Sequence, residues 1–165
     1  PEQGLRWAVL SLAGADGIPA QAETAPTLDQ NGCQFIPHVV VVQAGKELTV
    51  LNSDGILHNV HTYSKENAPM NKAQPGFKKK MKVKFDQAEI VKVACDAHPW
   101  MSGWIFVSEN PFATATDESG SFELAGVPPG TYELRLWHES LGEQTKQVTV
   151  KAGGETKISF ELAAK

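Results

Sequence analysis

A short run of sulfur and nitrogen donors, Cys95-Asp96-Ala97-His98-Pro99-Trp100-Met101, restricts what this chain can build more than any other stretch. It sets a thiol, an imidazole and a thioether at C-x-x-H-x-x-M spacing, and His58-Asn59-Val60-His61 lies upstream of it. The sulfur donors are soft and imidazole is borderline. Two histidines and a cysteine in one plane, with a weak axial methionine, suit copper in both of its oxidation states. Three of the four donors then sit on one loop between two strands, residues 90–94 and residues 103–107. His58 has to arrive from a neighbouring turn, which places the metal across one end of a sheet sandwich. The plainer alternative is packing: a lone Cys or Met in an apolar strand is usually core, and His98 is then a surface residue. Four donors at this spacing, in a chain with only two cysteines, favour His58, Cys95, His98 and Met101 as copper ligands.

His58-Asn59-Val60 after Asn52-Ser53-Asp54, followed by Cys95-x-x-His98-Pro99-Trp100-Met101-x-Gly103, resembles the cupredoxin family. The short loop is most similar to that of the amicyanins, in which C-x-x-H-P-aromatic-M is typical. The resemblance covers about residues 33–108. It implies an eight-stranded Greek-key β-sandwich with one copper bound by the residues matching His58, Cys95, His98 and Met101. It also implies transfer of single electrons to and from a redox protein such as a c-type cytochrome or an oxidoreductase, in the periplasm or outside the cell. Asp96 departs from the family, which commonly has a hydroxyl residue there; its charge beside the thiolate is expected to lower the potential or shift the spectrum. Asn59 and the backbone around Cys95 are expected to orient the ligands.

Composition agrees with an all-β chain of one large or two small domains, since 165 residues carry ten prolines and fourteen glycines between short Val/Ile/Thr/Phe runs. At most a turn of helix is expected within residues 69–77. A net charge of −4 with scattered acids argues against a nucleic-acid binder. No stretch is long enough to span a bilayer. Residues 7–15 are too short, and too weakly preceded by positive charge, for a signal peptide, so the start at Pro1 reads as a mature or trimmed product. Two cysteines also allow a Cys33–Cys95 disulfide, which would remove the thiolate and exclude the copper site.

In chain order, residues 5–12 read as a strand and residues 13–29 as a polar connection. A copper domain follows over residues 30–109, with strands at 39–42 and 48–51. Asn52-Ser53-Asp54-Gly55 is a turn that delivers His58. Strand alternation places Cys33 with Phe35 facing inward as a small apolar filler, the alternatives being the disulfide or a role at the metal. His38 reads as a surface residue. His61 falls on the strand face opposite His58, and a second, weaker copper site using it stays open. From Lys80 onward Met81, Val83 and Phe85 alternate inward. Lys80, Lys82 and Lys84 guard a sheet edge, a reading favoured over a docking patch for an acidic partner.

Residues 110–165 change in texture. Thr116-Asp117-Glu118-Ser119-Gly120-Ser121-Phe122, then Pro128-Pro129-Gly130-Thr131-Tyr132, reads as strand–turn–strand and resembles the carboxypeptidase regulatory-like (transthyretin-like) β-sandwich module. Residues 148–150 and 158–162 supply its last strands, but its usual first strands are missing. Either residues 5–12 complete it, so that the copper domain is an insertion, or residues 5–12 pair within the copper domain. Trp137-His138-Glu139 has no partner nucleophile or metal pattern, so an electron carrier rather than an enzyme is expected. The alternative is a copper-binding or copper-delivery protein of the cell envelope, which Cys33, His38 and His61 favour. A multicopper enzyme fails on chain length and on the lack of a second histidine cluster.

Overall fold

The structure is a computed structural model that describes residues 4–15 and 25–163. Its described residues form thirteen strands and no helix: β1 (Val9–Ala13), β2 (Thr27–Gln30), β3 (Phe35–Ile36), β4 (Val39–Gln43), β5 (Glu47–Asn52), β6 (His58–Thr62), β7 (Asn71–Gln74), β8 (Lys80–Lys84), β9 (Glu89–Ala94), β10 (Ser102–Ser108), β11 (Ala113–Ala115), β12 (Gly130–His138) and β13 (Gly142–Val150). The chain divides into two compact units, Glu23–Glu109 and Pro1–Ala22 with Asn110–Lys165.

The unit Glu23–Glu109 is a sandwich of a five-stranded sheet, β4-β10-β9-β6-β7, and a four-stranded sheet, β3-β2-β5-β8. Pairing is parallel for β4 with β10 and for β2 with β5, and antiparallel elsewhere. Strand period two makes the core: Leu48 and Val50 of β5, Met81 and Val83 of β8, Val91 and Val93 of β9, and Ile105 and Val107 of β10 all point inward. On β8 the lysines at 80, 82 and 84 are exposed between buried Met81 and Val83. β8 is an edge of its sheet, where exposed lysines hinder pairing with another chain.

The structure corrects several expectations. β2 begins inside the segment expected to be a connection and ends at Gln30, just past it, and residues 16–24 of that segment fall outside the described residues. β2 carries little apolar periodicity because Gln30, though fully buried, is polar; its amide donates to Gln74 Oε1 at 2.7 Å and to the Leu51 carbonyl at 3.0 Å. Nine strands, one of them the two-residue β3, replace the expected eight. Residues 69–77 hold β7, with no helical turn, because Asn71–Gln74 pairs with His58–His61. Both cysteines are free. Cys33 is not an inward filler on a strand: it sits in the turn between β2 and β3 with φ of 52°, where strand alternation does not apply.

Gly103 of β10 shows how tightly this sandwich end is closed. A Cβ there would lie 2.8 Å from the His38 carbonyl oxygen and 3.3 Å from Phe35 Cβ. Backbone on one side cannot yield cheaply, so Gly103→Ala is expected to destabilise the unit by about 1–3 kcal/mol, read as a lower urea midpoint.

The second unit is built on the sheet β11-β1-β12-β13. β1 lies between β11 and β12, with Leu10 opposite Thr114 on one side and Leu136 on the other. Leu10, Leu12, Phe112, Leu134, Leu136 and Val148 form its core. Apolar side chains at 122, 124, 158, 160 and 162 pack against that core, yet their segments are not strands, so the expected pairing of residues 116–124 with 126–134 is absent. Side chains replace the ladder there. Thr116 Oγ1 donates to the Leu5 carbonyl at 2.6 Å and accepts from Ala8 N–H at 3.1 Å. Asp117 accepts from Ser119 and Ser121 amides at 2.8 and 2.9 Å around a turn completed by Gly120 at φ of 78°. The Tyr132 hydroxyl donates to the Pro128 carbonyl at 3.0 Å. These contacts give a physical reason for the T-D-x-x-G and P-P-G-x-Y spacings.

Candidate metal centre

The ligand loop follows β9 directly and is closed by its own backbone. His98 N–H donates to the Cys95 carbonyl at 3.3 Å and Met101 N–H to the His98 carbonyl at 2.9 Å. Cys95 N–H donates to the Met101 carbonyl at 3.1 Å. Cys95 and Met101 are buried in the sandwich core, whereas His98 is half-buried and Trp100 is exposed. The loop therefore points two sulfur residues inward and presents His98 and Trp100 near the surface, with their rings 5.4 Å apart.

His58 opens β6, which meets the end of β9 through His61 opposite Ala94. The turn before it is set by Asn52, whose side-chain oxygen accepts from Gly55 N–H at 3.2 Å and whose amide donates to the Ile56 and Gln74 carbonyls. Gly55 adopts φ of 73°, which favours glycine. His58 is fully buried, its Nδ1 is 3.8 Å from Cys95 Sγ, and His98 Nδ1 is 3.6 Å from the same sulfur. A first-row ion about 2.3 Å from sulfur and about 2.0 Å from nitrogen spans such separations at near-trigonal angles. One thiol and two imidazole nitrogens thus converge on a volume suited to one ion, and the donor chemistry fits copper.

Asp54 fixes the His58 ring from behind. Its Oδ2 lies 2.8 Å from His58 Nε2. Burial works to raise the Asp54 carboxyl, but amide hydrogen bonds from Cys33 and Gly32, together with His58, hold it below the usual carboxylate range. An ionised carboxylate there is an acceptor suited to a proton on Nε2, and the ring so held turns Nδ1 toward Cys95. In the sequence Asp54 reads only as part of a turn, and its spacing of four ahead of His58 is the signal for this contact.

Asn59 brackets the thiol. Its N–H lies 3.5 Å from Cys95 Sγ, and its Oδ1 accepts from the sulfur at 3.3 Å and from Asp96 N–H at 2.6 Å. Asp96 turns outward to His61 Nδ1 at 2.9 Å, Asn71 Nδ2 at 2.6 Å and Asn59 Nδ2 at 3.1 Å. The His61 hydrogen bond, then that of Asn71, keeps the Asp96 carboxyl below the usual carboxylate range. His61 stacks on Tyr63 with ring centroids 4.6 Å apart. It is engaged with Asp96 rather than gathered with the donors around Cys95. Cys33, by contrast, does come to the site: ligand atoms of Cys33, His58 and His98 all lie within 4.8 Å of one another. His38 is half-buried and lies outside that group.

Residues 22–108 match the description "Copper binding proteins, plastocyanin/azurin family", and the chain belongs to that family. Residues 106–163 match the carboxypeptidase regulatory-like domain. Among solved structures, a Cu-containing nitrite reductase from Thermus scotoductus SA-01 is similar at 21% identity and a TM-score of 0.48, over 59% of this chain. The chain spans only 26% of that enzyme's length. A purple cupredoxin from Nitrosopumilus maritimus is similar at 18% identity and a TM-score of 0.42, covering 50% of this chain and 99% of its own. A Cu(I) amicyanin variant follows at 19% identity and a TM-score of 0.46, with 60% and 98% covered. No curated protein matches the chain.

Proposed function

We propose that this chain is a mononuclear copper protein that carries single electrons between redox partners of the cell envelope, and that His58, Cys95, His98 and Met101 are the residues that would hold the ion. The observation that carries the reading is the buried Cys95 sulfur, 3.8 and 3.6 Å from two imidazole Nδ1 atoms, in a chain of a copper-binding family. Bound copper supplies a one-electron Cu(I)/Cu(II) couple. The protein supplies rigidity: Asp54 holds His58, the backbone-closed loop holds His98 and Met101, and Asn59 holds Cys95 and Asp96. A donor set fixed from outside rearranges little when its metal changes charge, which favours fast electron exchange. His98 is the half-buried member of the set, and exposed Trp100 beside it marks where a redox protein such as a c-type cytochrome or an oxidoreductase would approach. No helix among the described residues is long and apolar enough to cross a membrane. Periplasmic or extracellular placement comes with the family reading.

Two substitutions separate the roles. Asp54→Ala removes the acceptor of His58 Nε2, and copper affinity is expected to fall by about 10–100-fold by competition titration, since outer partners of metal-bound histidines have effects of that size. Met101→Leu is expected to leave copper bound while changing the reduction potential, measured by redox titration. The functional reading is tested by repeated chemical reduction and reoxidation. An electron carrier returns its full visible spectrum with copper retained. Prompt surrender of Cu(I) to a chelator at each cycle would instead support a delivery protein.

A further inference from the structure

The thiol of Cys33 has no place in the four-ligand site, yet it falls with His58 and His98 in one group of donors within 4.8 Å. It is free, half-buried and absent from the apolar core of its unit. Its position is built. Residues 31–34 close a tight turn through two backbone hydrogen bonds between Asn31 and Gln34, at 3.1 and 3.3 Å. That turn holds Cys33 at φ of 52°, a left-handed conformation that disfavours a non-glycine residue. Asp54 offsets the cost by accepting Gly32 N–H at 2.6 Å and Cys33 N–H at 2.9 Å. The oxygen that accepts from Cys33 also faces His58 Nε2. One carboxylate therefore fixes both a buried imidazole and the turn that carries a second sulfur beside it.

We propose that Cys33 is a second copper(I) donor, which holds the reduced ion together with His58 and His98 while it is loaded onto, or released from, the Cys95–Met101 set. Thiolates select Cu(I), the softer oxidation state. The step is ligand exchange: the Cys33 sulfur–copper bond would form as the Cys95 bond breaks, the metal staying Cu(I), with the Cys33 thiol giving its proton to solvent and the freed Cys95 thiolate taking one up, and loading would run the same exchange in reverse. The inference rests on the copper site proposed above and adds a route for the ion.

The test uses the full chain, reduced, as wild type, Cys95→Ser, Cys33→Ser and the double variant, each checked for its β-sheet circular dichroism. Cys95→Ser is expected to lack the intense thiolate band with Cu(II) yet keep one Cu(I) against a chromophoric Cu(I) chelator, and the double variant is expected to lose it. Cys33→Ser alone is expected to keep the band and to hand Cu(I) to the chelator more slowly than wild type, a readout that does not depend on Cys95→Ser folding. The proposal is overturned if Cys95→Ser loses Cu(I) as completely as the double variant, if the double variant still holds Cu(I), or if Cys33→Ser hands over copper at the wild-type rate. Those failures leave the band of the wild type in place. Absence of the band from the wild type itself sinks the four-ligand reading and this inference with it.

Discussion

Replacing Cys95 by serine is expected to erase the intense visible absorption of the copper-loaded protein while leaving its fold in place. Cys95 is 2% exposed and its sulfur lies within 3.8 Å of both imidazole Nδ1 atoms. A serine oxygen is a hard donor, poorly matched to Cu(I), and cannot give the thiolate-to-copper transition. The side chains are close in size, and such near-isosteric changes in a core usually cost less than about 1.5 kcal/mol, although the hydroxyl adds a polar group to satisfy. Asn59, whose N–H and Oδ1 already face this position, can satisfy it. Absorption spectra of both proteins with one equivalent of Cu(II) check the expectation. A strongly coloured Cys95→Ser protein would show that another residue supplies the sulfur.

Phe112→Ala is expected to be the most destabilising single change in the unit that contains β1. Phe112 is 1% exposed and packs in the core with Leu10, Leu12, Leu134 and Leu136. Its carbonyl accepts from Leu12 N–H at 3.0 Å, and its N–H donates to Asn110 Oδ1 at 2.9 Å, so the backbone is pinned and cannot close over a cavity. Truncating a buried phenylalanine costs about 3–5 kcal/mol, a large part of the roughly 5–15 kcal/mol of a typical domain. Thermal unfolding followed by far-UV circular dichroism should show a transition well below that of the wild type. An unchanged transition would mean that the side chain is not packed as described.

What sequence reading reached here was what strand period and donor spacing encode locally. The inward alternation of Met81, Val83 and Phe85 follows from period two, and the C-x-x-H-x-x-M run brings Cys95 and His98 onto one loop. β2 is hard to read from sequence because its buried face is only Leu28 and a glutamine, and the partner amide of Gln30 lies on β7. Asp54 escaped because its acceptors' work is divided between a residue four positions on and a turn contributed by an earlier strand pair. The alternation that points Cys33 inward stops before β3, because Cys33 lies in a turn whose φ of 52° the sequence does not announce for a cysteine. His61, Asn71 and Asp96 come from three separate segments, and only the pairing of β6 with β7 and β9 makes them neighbours.

The central claim, that Cys95 with His58 and His98 holds copper, is tested most directly by adding one equivalent of Cu(II) to reduced protein and recording visible absorption with electron paramagnetic resonance. The account predicts an intense thiolate-to-copper band together with a narrow copper hyperfine splitting. A weak spectrum with the wide splitting of ordinary tetragonal Cu(II) would contradict it, because the Cys95 thiolate would then lie outside the metal's coordination.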